Sequence, residues 1–184
     1  GNAVSNTYTL NLSFGNGIVV EGAGFLLNNE MDDFSMKPGV PNAFGVIGGK
    51  ANAIAPKKRM LSSMSPTIVL KNNAVQLVVG SPGGSTIITS VFQAMVNHLE
   101  YGLTPFQTVS TARYHHQLFP IDEISYSIPI PTRLKKDLQK RGYQTKYYVI
   151  GDVQMVSNSN GKLDAASDPI GRGQYYVFEL DVAK

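Results

Sequence analysis

The sequence predicts an α+β fold, and three observations predict it. Segments rich in Val, Ile, Thr and Tyr lie towards both ends and read as strands. Between them Ile87, Ile88, Val91, Phe92, Met95, Val96 and Leu99 recur at helical spacing. A chain of 184 residues, 42% hydrophobic and 16% charged, is long enough for one substantial core and short for two. One domain is therefore expected over residues 1–184, with strands first, a helical pair in the middle and strands again.

Gly1-Asn2 is turn chemistry, and Ala3 to Ser13 reads as a strand carrying Val4, Tyr8, Thr9 and Leu10. A turn at the first two residues leads us to expect a preceding hairpin strand outside the sequence. Phe14-Gly15-Asn16-Gly17 is a second turn, followed by Ile18-Val19-Val20 and, past the permissive Gly22 and Gly24, by a buried strand at Phe25-Leu26-Leu27. Ser35 to Ser63 holds Pro38, Pro41 and Pro56 with glycines at 39, 45, 48 and 49, and shows no sustained period. So long an irregular stretch inside a compact domain is functional or disordered.

Thr67–Leu70 and Val75–Val79 are expected to pair as a hairpin around Lys71-Asn72-Asn73-Ala74. Ser81-Pro82-Gly83-Gly84 leads into the apolar helix, which Gly102 stops. Thr104-Pro105-Phe106-Gln107 starts a second helix: Thr104 caps, Pro105 fits the first helical position and Gln107 completes a capping box. His115-His116 is expected to end that helix. A third helix, Thr132 to Lys140, places Leu134 and Leu138 on one face and ends at Gly142. Strands follow at Tyr147–Ile150 and Val153–Ser157, then a turn at Asn160-Gly161 and a strand at Tyr175–Leu180.

Composition narrows the function classes. Cysteine is absent, which excludes disulfides and thiolate metal sites and suits an oxidising compartment. No apolar run approaches the roughly 18 residues of a membrane-spanning helix. No signal-peptide pattern opens the chain, so any targeting segment is expected to lie outside it. The net charge is +3. Its distribution argues against nucleic acid: Glu21, Glu30, Asp32 and Asp33 are the charges up to Met36, while Lys37, Lys50, Lys57, Lys58, Arg59 and Lys71 are those from there to Leu99. Nucleic-acid surfaces gather Lys and Arg with aromatic platforms on one face. An acidic segment beside a basic one better suits a small ligand carrying both an amine and a carboxylate.

Three segments could carry chemistry. Asn28-Asn29-Glu30-Met31-Asp32-Asp33 follows an apolar strand, where carboxylates can be held rigidly to receive an ammonium; a solvated acidic turn or a calcium loop is the alternative. Leu61-Ser62-Ser63-Met64-Ser65-Pro66 offers paired hydroxyls that bind a carboxylate or cap a turn. Gly80-Ser81-Pro82-Gly83-Gly84 joins a strand to a helix, either as a tight turn or as an oxyanion hole of backbone amides. It is not a Walker motif, since no Gly-Lys-Ser/Thr follows, and no Gly-x-Ser-x-Gly elbow is present. His98, His115 and His116 read as structural, because adjacent histidines on a helix diverge. Tyr8, Tyr175 and Tyr176 read as packing residues.

Together these segments resemble the gamma-glutamyltranspeptidases. The matching stretches, in order, are Thr7-Tyr8-Thr9-Leu10-Asn11, Leu26 to Ser35, Leu61 to Thr67, Gly80 to Gly84, Ala112-Arg113-Tyr114-His115-His116-Gln117 and Ala166-Ser167-Asp168-Pro169. The resemblance implies an N-terminal nucleophile hydrolase: part of a four-layer αββα sandwich of stacked antiparallel sheets, completed by a large subunit from the same self-cleaving precursor. It implies a new N-terminal threonine whose hydroxyl attacks the γ-glutamyl amide of glutathione, with its own amine as base. Water then gives hydrolysis, and an amino acid or dipeptide acceptor gives transfer. No cofactor or metal is implied, and the setting would be periplasmic or extracellular.

By the same resemblance, Thr9 hydrogen-bonds the nucleophile, Asn11, Glu30 and Asp33 receive the glutamyl α-ammonium, Ser62 and Ser63 hold its α-carboxylate, and Gly83 and Gly84 supply oxyanion amides. Three departures stand out. The chain starts at Gly1, one hairpin strand after the family's threonine, so it is expected to be inactive by itself. Phe44 stands where several members carry a lid tyrosine, and a phenyl ring lacks that hydroxyl. Ile170 follows Asp168-Pro169 where arginine is common. A cephalosporin acylase of the same superfamily and a non-catalytic binding homologue are the competing readings. Retention of Asn11, Glu30 and Asp33 disfavours the first, because a glutaryl substrate has no α-ammonium.

Overall fold

The computed structural model describes residues 1–178. Two sheets and three helices form around a core placed between one sheet and two of the helices. Strand β1 (Thr67–Lys71) and β2 (Ala74–Gly80) make the expected hairpin. Its turn narrows to Asn72-Asn73, both with positive φ (51° and 61°), a conformation asparagine tolerates and tight hairpins require. Helix α1 (Thr86–Leu99) and helix α2 (Pro105–Ser110) follow, and α2 carries the full capping box at Thr104 and Gln107. Next come β3 (Tyr114–His116), β4 (Glu123–Tyr126), α3 (Thr132–Lys140), β5 (Gln144–Tyr147), β6 (Gln154–Ser159) and β7 (Lys162–Ser167).

The larger sheet runs in the order β1-β2-β6-β7, antiparallel throughout. One of its faces buries Leu77, Val79, Met155 and Ala166 against Ile87, Val91 and Ala94 of α1 and Val109 of α2. Alternation along the strands leaves Ile68 and Val156 about 40% exposed on the opposite face. Such a face is normally covered by another layer. The smaller sheet, β3-β4-β5, pairs β4 and β5 in parallel, with α3 as the crossover between them.

Several boundaries differ from the sequence reading. The second helix stops at Ser110, so His115 and His116 lie on β3 instead of at a helix end. Past α2 the Arg113 guanidinium turns inward to the Ile150 and Val109 carbonyls, and β3 then pairs with β4. The strand expected at Tyr147–Ile150 is β5, three residues earlier, set by its register with β4. β7 fills the segment after Asn160-Gly161 that sequence reasoning left unassigned.

Ala3–Ser13 forms no ladder and is tied instead by side chains, including Ser5 Oγ to the Val79 carbonyl at 3.2 Å. Ile18–Val20 and Phe25–Leu27 do meet, through one bridge between Val19 and Leu26. Residues 175–178 are not strand, and the remainder of the expected strand Tyr175–Leu180 lies outside the described residues.

Residues 35–63 form a loop that closes on itself through bridges Ser35–Ala53 and Pro41–Ile47. Within it the turn at Asn42–Val46 carries Phe44 to the mouth of a large cavity.

Candidate active site

That cavity, of about 690 Å³, is where the predicted residues converge. Thr9, Asn11, Asp33, Ser62, Ser63, Gly83 and Gly84 all line it. They arrive from four separate segments, so the convergence is a product of the fold. Glu30 stands just behind, beside Asp33 in a short 3-10 turn, Glu30–Asp33. Phe44, Tyr148, Arg172 and Ile87 complete parts of the wall. Tyr148 and Arg172 were not anticipated, since neither stands in a motif.

Backbone bonding explains how the first two segments stay together. Asn11 adopts a positive φ of 72°, and its N–H donates to Thr9 Oγ1 at 2.7 Å. Its Nδ2 donates to the Asn29 carbonyl at 3.1 Å, while Asn29 Oδ1 accepts from the Leu12 N–H at 3.1 Å. With the Asn29 N–H donating to the Leu10 carbonyl at 3.1 Å, residues 10–12 are thus tied to the residue before the acidic turn.

Two carboxyls sit together in that turn. Burial pushes the Glu30 carboxyl above its ordinary range, and the neighbouring Asp33 charge and hydrogen bond push it further. Asp33 is also raised, chiefly by burial, with the Glu30 hydrogen bond opposing and the Asp32 charge adding. Glu30 Oε1 is buried without a protein partner. A buried acceptor costs free energy until it is satisfied, and a half-buried carboxyl pair favours a cation between or beside its members. Among the described residues no cluster of three or more His, Cys, Asp or Glu side chains suits a metal ion.

Ser62 and Ser63 add hydroxyls to the same cavity. Ser62 Oγ accepts from the Met64 N–H at 3.2 Å and keeps its own hydrogen free to donate. Beyond them the chain turns from β2 into α1 through Gly83 and Gly84, with φ of 137° and 56°. A Cβ on Gly83 would lie 2.4 Å from Thr86 Oγ1, and one on Gly84 would lie 2.4 Å from the Phe44 ring. Neither glycine N–H donates to another described residue, while their carbonyls accept the first helical bonds from Thr86 and Ile87. Two amides without a described acceptor thus stand just before a 14-residue helix, an arrangement suited to negative charge. The turn is buttressed by Ser81 Oγ, which accepts from the Asp152 N–H at 3.0 Å.

Asp33, the two serines and the two glycines thus line one cavity, with Glu30 adjoining Asp33. The gamma-glutamyltranspeptidase family model matches residues 1–178, and the chain belongs to that family. It is 54% identical over 177 residues to the glutathione hydrolase proenzyme of Pseudomonas aeruginosa, covering 94% of this chain and 32% of that one. The chain therefore spans about a third of the length of that relative. Against the gamma-glutamyltranspeptidase of Pseudomonas nitroreducens complexed with L-DON, the TM-score is 0.93 at 52% identity, covering 97% of this chain and 95% of that chain. The cephalosporin acylase of Bacillus halodurans shares the fold at a TM-score of 0.76 and 23% identity, covering 90% of this chain and 30% of that chain.

Proposed function

We propose that this chain is the small-subunit part of an enzyme that transfers the γ-glutamyl group of glutathione and related amides to water or to an amine acceptor. The observation that carries this reading is that Asp33, Ser62, Ser63, Gly83 and Gly84 line one cavity, with Glu30 in the same short turn as Asp33. The acidic pair takes the α-ammonium, the serine hydroxyls take the α-carboxylate, and the γ-carbonyl reaches the Gly83 and Gly84 N–H groups.

The nucleophile is a threonine hydroxyl from the precursor outside this sequence, close to Thr9. It adds to the γ-carbonyl as its proton passes to the threonine's own amine. The C–N bond breaks, the leaving amine takes the proton, and a γ-glutamyl ester remains. Water, or the amine of an amino acid or dipeptide, attacks the ester and returns the threonine. The two glycine amides stabilise the oxygen that becomes negative in both halves, a contribution worth about 10²–10³ in rate per donor in comparable sites. A large subunit closes the cavity and adds a cation for the α-carboxylate.

The test is a pair of amides differing only in the α-amino group, assayed with the assembled two-chain enzyme. The γ-glutamyl amide is expected to exceed the glutaryl amide in kcat/KM by at least about 100-fold, the size of a lost buried charge pair. Equal turnover of the two would support the acylase reading, and no turnover of either would support a binding homologue.

The raised carboxyls give this reading a pH signature. An ammonium binds the ionised pair, and in the empty site ionisation is delayed to above the ordinary carboxylate range. Donor affinity should therefore rise with pH through that delayed ionisation and level off beyond it. Thermal stability without ligand should move the other way over the same window, because the folded state holds these protons more tightly than the unfolded chain does. Calorimetric titration with glutamate across the acid range checks the first expectation, and melting curves check the second.

A further inference from the structure

Phe44 lines the reaction cavity and also two smaller cavities beside it, of about 270 and 290 Å³. It is therefore a wall residue common to all three. Its turn is built locally: Asn42 Oδ1 accepts from the N–H groups of Phe44 and Val46 at 3.0 and 2.9 Å, and the Ala43 N–H donates to Asp32 Oδ2 at 3.2 Å. The tie to the helical side of the molecule is Gln117, whose Nε2 donates to the Phe44 carbonyl at 3.0 Å and to the Phe119 carbonyl at 2.6 Å. Ser85 Oγ adds a longer contact to the Phe44 carbonyl at 3.5 Å.

Both amide hydrogens of Gln117 are committed to carbonyls, so its oxygen is the atom facing His115 Nε2 at 2.8 Å. That nitrogen therefore carries hydrogen. His115 is buried, and its Nδ1 meets Thr89 Oγ1 of α1 at 2.9 Å. A hydrogen-bonded line thus runs from α1 through His115 and Gln117 to the backbone of Phe44. The sequence leaves room for it at Gly45, where a Cβ would lie 2.7 Å from Gln117 Nε2 and where φ is +74°. His116 takes no part, standing edge-on to Tyr143. A phenyl ring has no polar atom with which to hold itself across the cavity, so its placement depends on this backbone anchor and on contact with Gly84.

We infer that Gln117, oriented by His115, is the positioning residue that fixes Phe44 as the wall of the reaction cavity and so sets how the γ-glutamyl ester divides between water and amine acceptors. The partition part of this inference rests on the transfer reading above; the anchor itself does not. Gln117 lines only the two smaller cavities, so it acts through Phe44 and not on substrate.

Gln117→Glu keeps the shape and the His115 contact but turns an oxygen towards two carbonyls. In the assembled enzyme it is expected to raise the ratio of hydrolysis to transfer with glycylglycine about fivefold, the worth of one hydrogen bond, while single-turnover ester formation stays within about twofold. In a Phe44→Ala background the same substitution should change nothing further. Hydrogen exchange of amides 42–46 should accelerate about tenfold or more in Gln117→Glu and Gln117→Leu, with melting temperature little changed. Unchanged exchange, or a partition effect that persists in full without Phe44, overturns the inference. Faster exchange in a protein that transfers no γ-glutamyl group would keep the anchor and sink the transfer reading instead.

Discussion

Asp33→Asn in the assembled enzyme is expected to raise KM for a γ-glutamyl donor by about 100-fold or more, with melting temperature unchanged or slightly higher. Asp33 is the carboxylate that lines the reaction cavity itself, and Glu30 stands behind it. Asparagine keeps the shape and the main-chain contact, in which Asn52 Nδ2 donates to the Asp33 carbonyl at 2.7 Å. It removes the charge. Truncating one member of a buried, hydrogen-bonded charge pair costs about 2–5 kcal/mol, because the partner is left without compensation. On the proposed reading the partner is the ligand's ammonium, so the loss is expected to fall on binding and not on the fold.

A second signature separates this from simple damage. Asp33 is one of the causes that hold the Glu30 carboxyl above its ordinary range. Without that neighbouring charge Glu30 ionises at lower pH, and the residual donor binding should begin its rise at lower pH than in the parent protein. Binding weakened less than about fivefold, a difference of roughly 1 kcal/mol, would remove Asp33 from the ammonium site.

The site was more legible in the sequence than the fold that carries it, and the reason is local. Glu30 and Asp33, Ser62 and Ser63, and Gly83 and Gly84 each fall within one short polar or glycine-rich run next to an apolar strand or helix. Their chemistry is written in adjacent residues, and the resemblance to a family then placed the runs in one pocket. What joins that pocket from afar was not legible. Tyr148 reaches the cavity wall from a segment that reads as strand, and Arg172 from one with no secondary-structure signal. β3 and β5 consist of Tyr-His-His and Gln-Thr-Lys-Tyr, which do not alternate apolar with polar residues, and β4, Glu-Ile-Ser-Tyr, alternates over only four. Their strand state comes from pairing with one another, a tertiary influence on weak local preference. β7 reads Lys-Leu-Asp-Ala-Ala-Ser, poor in strand formers, and is a strand because the Asn160-Gly161 turn folds it onto β6.

Arg113 shows the same limit at a single residue, and it carries the largest stability effect expected. The residue type alone does not reveal burial, yet Arg113 and Asp168 are each only 3% exposed. Each guanidinium nitrogen has a partner: Nε donates to the Ile150 carbonyl at 2.7 Å, Nη1 to the Val109 carbonyl at 2.8 Å, and Nη2 pairs with Asp168 Oδ2. Asp168 in turn accepts from the Ile170 N–H at 3.2 Å and gives its own N–H to the Val153 carbonyl at 2.9 Å. One ion pair therefore ties the end of α2 to the segment 150–153 and to the residue after β7. The segment 150–153 is the same one that props Ser81 under the glycine turn.

Arg113→Leu leaves Asp168 buried without a counter-charge, and loss of one member of a buried pair costs about 3–5 kcal/mol. For a chain of this size that corresponds to a fall in melting temperature of roughly 10 °C. Arg113→Lys should recover little, since a single ammonium lacks the planar fork that reaches three acceptors in different directions. Arg113→Leu combined with Asp168→Asn should recover a substantial part, because the stranded charge is gone even though the fork's other acceptors stay unfilled. Melting curves of the three variants decide the matter. A double variant no more stable than Arg113→Leu alone would mean that the fork's bonds to the Ile150 and Val109 carbonyls, and not the charge on Asp168, hold this corner of the fold.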